Sequence, residues 1–168
     1  FENRGPEVGA TIAHPHGQIY AYDHIPDRPR RKRDAGWKPD PDPGERLIVR
    51  HGSWQAYVPY AATYPIAVTF APVERVADVV TMDDAGRNDL AGVLVDVLAK
   101  GGGYGAALDR APTNGEFPDA WFHVELVSPW RRAGVQRFIA AAEVACHEFF
   151  NPLIPEVLAE DLRGLGDD

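Results

Sequence analysis

His14-Pro15-His16-Gly17-Gln18-Ile19-Tyr20 is the stretch whose reading decides the rest of this chain. Taken as a strand, it places His14, His16 and Gln18 on one face, because side chains alternate with period two. Pro15, Gly17 and Ile19 take the other face. Two imidazoles and an amide, with no apolar residue among them, make a poor core face and a good reactive one. Gly17 has no side chain, so a phosphate or sugar can approach the backbone there. Pro15 gives no N–H to a ladder, so the strand starts there or runs along an edge. Imidazole is a nucleophile near neutral pH, and its phosphorus adduct is labile. An amide two residues on can donate to a non-bridging oxygen as charge develops there. The plainer alternative is a polar turn at a strand start.

Working outward, Asn3-Arg4-Gly5 and Gly9-Ala10-Thr11 lead into the motif. Downstream come Ala111-Pro112-Thr113-Asn114-Gly115, Trp121-Phe122-His123-Val124-Glu125, Arg137-Phe138 and Glu143. In this order and spacing the chain resembles the galactose-1-phosphate uridylyltransferases, a branch of the histidine-triad superfamily. The fit is weakest between Asp27 and Glu45. The resemblance implies uridylyl transfer from UDP-glucose to galactose 1-phosphate, in two steps through a uridylyl group carried on His16. It implies that Gln18 holds the phosphate. It also implies that Asn3 and Thr11 contact the substrate phosphates and the motif backbone. Arg137 stands where the family often has a Lys near the sugar, and Glu143 matches an acceptor for sugar hydroxyls. In the family these two reach the partner subunit's site, so a homodimer is expected. Ala142 replaces an aromatic hydroxyl beside that acid. Rival readings are a related nucleotidyltransferase or NDP-sugar phosphorylase with the same histidine chemistry, and an inactive C-terminal subunit that needs its other half.

Two metals are also implied by the resemblance. In zinc-containing members the first motif His is a ligand, here His14, and the remaining ligands lie in the earlier half. Cys146 is the only cysteine and cannot replace a Cys-x-x-Cys pair. A structural zinc takes four ligands, so this chain alone is expected to hold none. The second site often has His-x-His where this chain has His123 and Glu125. Carboxylate still ligates iron, zinc or manganese. The family's other two ligands, a Glu and a His, fall near Lys32 and on or near Asp109. A second metal, iron or zinc, would therefore use Asp109, His123 and Glu125. A hydrogen-bonded His123–Glu125 pair without metal is the reading preferred here.

Composition narrows the class. A chain of 168 residues suits one domain with a real core. Its net charge of −8 gives no support to a nucleic-acid role. A lone cysteine fits a reducing compartment, hence the cytoplasm. No apolar run of membrane-spanning length occurs. In the family the active-site motif lies near the middle of a longer chain. This sequence therefore reads as the second part of that enzyme, from a split gene or as a processed or truncated product, with the N-terminal half as its partner.

The expected organisation has three parts. Residues 1–26 carry the active-site strand of the first half. Residues 27–45 form a Pro-rich, charged connector, whose Arg28, Arg30, Arg31, Lys32 and Arg33 make a solvated loop or a phosphate- or subunit-facing patch. Residues 46–168 form the second histidine-triad-like half. Strands are expected at 46–51 and 54–59 around a Gly52-Ser53 turn, and at 66–71, 104–108 and 121–127. A helix follows a cap at Thr81 and carries Leu90, Val93, Leu94, Val97 and Leu98 at helical spacing. Further helices are expected over 134–149 and from Pro155 to Gly164. The expected fold is α+β, an antiparallel sheet with helices on one side.

Overall fold

The hairpin read around Gly52-Ser53 lies at one end of a six-stranded sheet. The structure, a computed structural model, describes residues 1–12, 14–100, 104–109, 117–132 and 134–165, with backbone alone for 104–109 and 141. In chain order the sheet's strands are β1 (Glu2–Arg4), β2 (Leu47–His51), β3 (Trp54–Tyr57), β4 (Ile66–Pro72), β5 (Tyr104–Asp109) and β6 (His123–Ser128). They lie side by side as β1-β5-β6-β4-β3-β2, and every neighbouring pair is antiparallel. The fold is α+β.

Period-two alternation gives the sheet two different faces. Trp54, Ala56, Val58, Val68, Phe70, Val124 and Leu126 point one way into the core. Helices α2 (Asp84–Leu98) and α4 (Pro155–Gly164) cover them, burying Leu90, Val93 and Val97 from one and Leu158, Ala159 and Leu162 from the other. Trp54 meets Phe122 edge to face at 5.7 Å. Helix α4 begins at Pro155 as expected, since proline's missing N–H costs nothing at a helix start. Helix α2 starts later than the Thr81 reading: the cap is Asp83, whose carboxylate accepts from Gly86 N at 2.8 Å. The Thr81 hydroxyl instead donates to the Asp78 carbonyl at 3.0 Å.

The other face is where the sequence reading needs most correction. The basic cluster of Arg28, Arg30, Arg31, Lys32 and Arg33 is not a solvated loop but lies in a helix. Helix α1 (Asp27–Asp34) reaches β6 through Arg28 and Lys32, which bond to Glu125 and His123. Asp27 pairs with Arg30 and Arg31 one turn on, which favours the helix. Pro29 falls in the first turn, where proline's missing N–H is not needed. Beyond α1, Gln55 donates to the Asp40 carbonyl at 2.6 Å and the Tyr57 hydroxyl accepts from Asp40 N at 3.0 Å. Helices and chain therefore cover the sheet on both sides.

Residues 134–149 are not one helix. Gly134 takes φ 70° and turns β7 (Trp130–Arg132) into β8 (Val135–Gln136). Only α3 (Ala141–Cys146) is helical, and His147 at φ 57° ends it. Cys146 is exposed at its end.

Candidate active site

The motif is not a regular strand. It touches the sheet edge at one place, where Gly17 bridges Glu2. Gln18 N donates to the Phe1 carbonyl and the Phe1 amino group to the Gln18 carbonyl, each at 2.7 Å. Pro15 cannot extend this ladder, and both histidines fold back onto their own backbone. His14 Nδ1 donates to the Pro15 carbonyl, and His16 Nδ1 to the His14 carbonyl, each at 2.9 Å. A proton on Nδ1 leaves the lone pair on Nε2, so each imidazole offers Nε2 outward. Among the described residues, Gly17 has only the Phe1 carbonyl near its Cβ position, at 3.5 Å. Gln18 Oε1 accepts from the Tyr20 hydroxyl at 3.3 Å, which leaves its amide nitrogen to donate elsewhere. Phe1 packs edge-on against Tyr20 at 4.7 Å.

Asn3 sits on β1 opposite Gly105, next to the motif. Thr11 follows the Pro6–Val8 turn and is exposed. Gln136 donates to the Glu7 carbonyl at 3.2 Å, which ties the Arg137 region to the motif's leading loop. Arg137 donates to the Thr63 carbonyl at 2.6 Å and is ion-paired with Glu143. The two expected sugar-contacting residues thus hold each other, beside a cleft lined also by Phe149 and Phe150. The Glu143 carboxyl is held below its ordinary range, first by its own backbone N–H and then, against some desolvation, by Arg137. The Ala111-Pro112-Thr113-Asn114-Gly115 turn lies outside the described residues.

A second cluster lies under α1. His123 and Glu125 share a face of β6, with His123 Nε2 3.8 Å from Glu125 Oε1. Between them stands Lys32 Nζ, 2.8 Å from His123 Nε2 and 2.6 Å from Glu125 Oε1. Arg28 forks onto the same carboxylate. Burial would raise the Glu125 carboxyl, but the charges of Lys32 and Arg28 outweigh it and hold the group below its ordinary range. Asp109 pairs with His123 across β5 and β6; its side chain is not described. Gly17, Glu2, Ala106 and Leu126 follow one another across the sheet. The motif therefore lies three strand spacings from β6, roughly 14 Å, and this cluster is not part of it.

Sequence reasoning missed Lys32, Arg28 and Trp37 as members of this cluster. The available signal was double: a basic residue where an acidic ligand was expected, and a Glu where a second His was expected.

Among the described residues neither metal site is complete. His14 turns Nε2 outward and suits one ligand position of a structural zinc, but one imidazole is not a site. At β6 the ammonium of Lys32 fills the space a second metal would need. Among the described residues no group of three or more His, Cys, Asp or Glu side chains is placed to hold a metal.

Residues 1–26 match the sequence profile described as galactose-1-phosphate uridyl transferase, N-terminal domain. The galactose-1-phosphate uridylyltransferase of Thermotoga maritima is 32% identical over 97% of this chain and 58% of its own length. The chain spans about half the length of the curated relatives it matches. Among solved structures, a uridylyltransferase mutant superposes with TM-score 0.86 at 24% identity, over 96% of this chain and 60% of that one. An ADP-glucose phosphorylase from Arabidopsis thaliana, with bound ADP-glucose, gives TM-score 0.79 at 18% identity, over 97% and 57%. By sequence, this chain is similar to the galactose-1-phosphate uridylyltransferases along nearly its whole length, and it shares the fold of a solved uridylyltransferase.

Proposed function

We propose that this chain carries the nucleophile of a uridylyltransferase of galactose metabolism, moving a uridylyl group from UDP-glucose to galactose 1-phosphate. The observation that carries the reading is His16, with Nδ1 bonded to the His14 carbonyl at 2.9 Å and Nε2 open beside a residue without a side chain. The Nε2 lone pair attacks the α-phosphorus of UDP-glucose. The bond from that phosphorus to the bridging oxygen breaks, and glucose 1-phosphate leaves with the electron pair. The uridylylated ring is cationic, and the His14 carbonyl stabilises its Nδ1 proton. A phosphate oxygen of galactose 1-phosphate then attacks the same phosphorus and returns the pair to Nε2. One site handles both sugar phosphates in turn. The Gln18 amide donates to a non-bridging oxygen in both steps. Asn3 and Thr11 orient the phosphates, and Glu143, presented by Arg137, accepts from sugar hydroxyls.

The active unit is an assembly in this reading. Residues 1–26 belong to the first half, 27–45 connect, and 46–168 form the second half. The N-terminal half completes the pocket, and two such units make a homodimer in the cytoplasm. Ile12, Ile19, Tyr20 and Tyr22 around the motif are exposed, Ile19 at 97%, which supports a partner covering them. A zinc on His14 would draw its other ligands from that half; when bound it would fix the motif rather than react. Among the described residues no helix is long and apolar enough to cross a membrane. The likeness in fold to an ADP-glucose phosphorylase supports one second reading, the same histidine chemistry on another nucleotide.

The test uses UDP-glucose and ADP-glucose labelled at the α-phosphate, given to the chain alone and co-expressed with the earlier half. Label should appear on His16 from UDP-glucose, be absent in His16→Ala, and be discharged by galactose 1-phosphate. Labelling from ADP-glucose alone would select the second reading. No label on His16 from either, in the co-expressed complex, would sink both.

A further inference from the structure

The cluster under α1 has the donors of a metal site and a different occupant. His123 Nδ1 donates to the Trp121 carbonyl at 3.0 Å, so Nε2 holds the lone pair. That lone pair and the Glu125 carboxylate converge on one point beneath the helix. Such an imidazole, its other nitrogen fixed by a carbonyl, is the usual form of a metal ligand. Yet the point of convergence is filled by Lys32 Nζ, within hydrogen-bond distance of both groups. The Lys32 side chain is 17% exposed and that of His123 is 4% exposed, so the contact is an interior one. Trp37 closes it from the side, its ring 4.8 Å from Nζ and 4.5 Å from the His123 ring. A metal on the same two donors would lie about 2.0–2.2 Å from each. It would overlap the ammonium and set two cations against one another. The residues present therefore do not fit the second metal that the family resemblance implies.

We propose that Lys32 is the resident cation of this site: its ammonium stands in place of a metal, neutralises Glu125, saturates His123 Nε2 and fastens α1 to β6. The two departures from the expected ligand pattern then explain each other. A lysine near the position of an acidic ligand supplies the positive charge, and Glu125 in place of a second imidazole supplies its counter-charge. Arg28 forks over the outer side of the carboxylate as a second, more exposed cation.

The experiment is cobalt(II) titration read by visible absorption, together with thermal melting with and without EDTA. In the parent chain no cobalt signal should depend on His123, so parent and His123→Ala should give the same titration. EDTA should leave the parent's melting temperature unchanged. Lys32→Met keeps the apolar stem and removes the charge; it should lower the melting temperature by about 5 °C, and added zinc should not restore it. Lys32→Glu adds a third donor and should create a one-equivalent cobalt site, lost when His123→Ala is combined with it. The proposal is overturned by a stoichiometric, His123-dependent cobalt site in the parent. It is equally overturned by a melting temperature that falls with EDTA but not with Lys32→Met. Should Lys32→Glu fail to fold, the parent and Lys32→Met arms decide the matter by themselves.

Discussion

His16 Nδ1 lies 2.9 Å from the carbonyl oxygen of His14, two residues back along the chain. The bond fixes the ring's tautomer and aims Nε2 away from the backbone. His16→Ala should lower sugar exchange more than about a thousandfold. The melting temperature should stay within about 2 °C of the parent, because the ring packs in no core. Exchange within tenfold of the parent would remove His16 from the nucleophile's role. His16→Gly should regain part of the transfer when a nucleotide imidazolide is supplied, since the cavity accepts the missing ring.

Gln18→Arg tests the phosphate contact. The amide is neutral, and its nitrogen is left to donate because Oε1 is taken by Tyr20. A guanidinium would hold the ground state and the uridylyl intermediate more tightly and slow release. Burst kinetics should show an intermediate that forms and then decays more slowly than in the parent. Decay at the parent rate would refute the assigned role.

Glu125 gives the fold a dependence on acidity. Its folded pKa lies below the ordinary 4.5, so the charged form stabilises the fold above that value. The contribution is lost as pH falls through the folded pKa. Glu125→Gln should cost about 2 kcal/mol near neutral pH, since it removes the carboxylate charge that Lys32 and Arg28 share. The gap between parent and variant melting temperatures should narrow steadily below pH 4.5. A gap that stays constant down to pH 3 would show that the carboxylate's charge is not what matters.

Asp83→Ala removes the carboxylate that caps α2 and should cost about 1 kcal/mol by urea denaturation. Thr81→Ala leaves that cap in place and should cost less. The reverse order would return the cap to Thr81.

Most of the sheet was legible because its strands are short, apolar runs bounded by Gly or Pro, and α2 and α4 because their apolar residues repeat at helical spacing. Three segments were not. The helix over 27–34 has no apolar stripe and no buried residue; what docks it is charge on a strand 91 positions away, visible only once His123 and Lys32 are side by side. The segment after Gly134 has helix-forming residues, but a glycine at positive φ and the pull of Arg137 on Thr63 and Glu143 divert it. The motif alternates like a strand, yet its ladder stops at Gly17 because Pro15 cannot donate and both imidazoles bond to nearby carbonyls. The candidate site itself was legible as a set of residue types. The tautomer of His16 and the pairing of Arg137 with Glu143 were not, since both depend on backbone folds that the spacing does not show.

An eight-residue helix with no buried apolar side chain cannot sustain itself in water. The life of α1 on the sheet is therefore governed by the ionic contacts to Glu125, and its opening free energy sits far below that of α2. Amide protons of residues 31–34 should exchange quickly and salt should hasten them, while those of β3 and β6 beneath stay slow. Each opening wets His123 and Glu125 for a moment without unfolding the core, so this flank of the molecule breathes on its own clock.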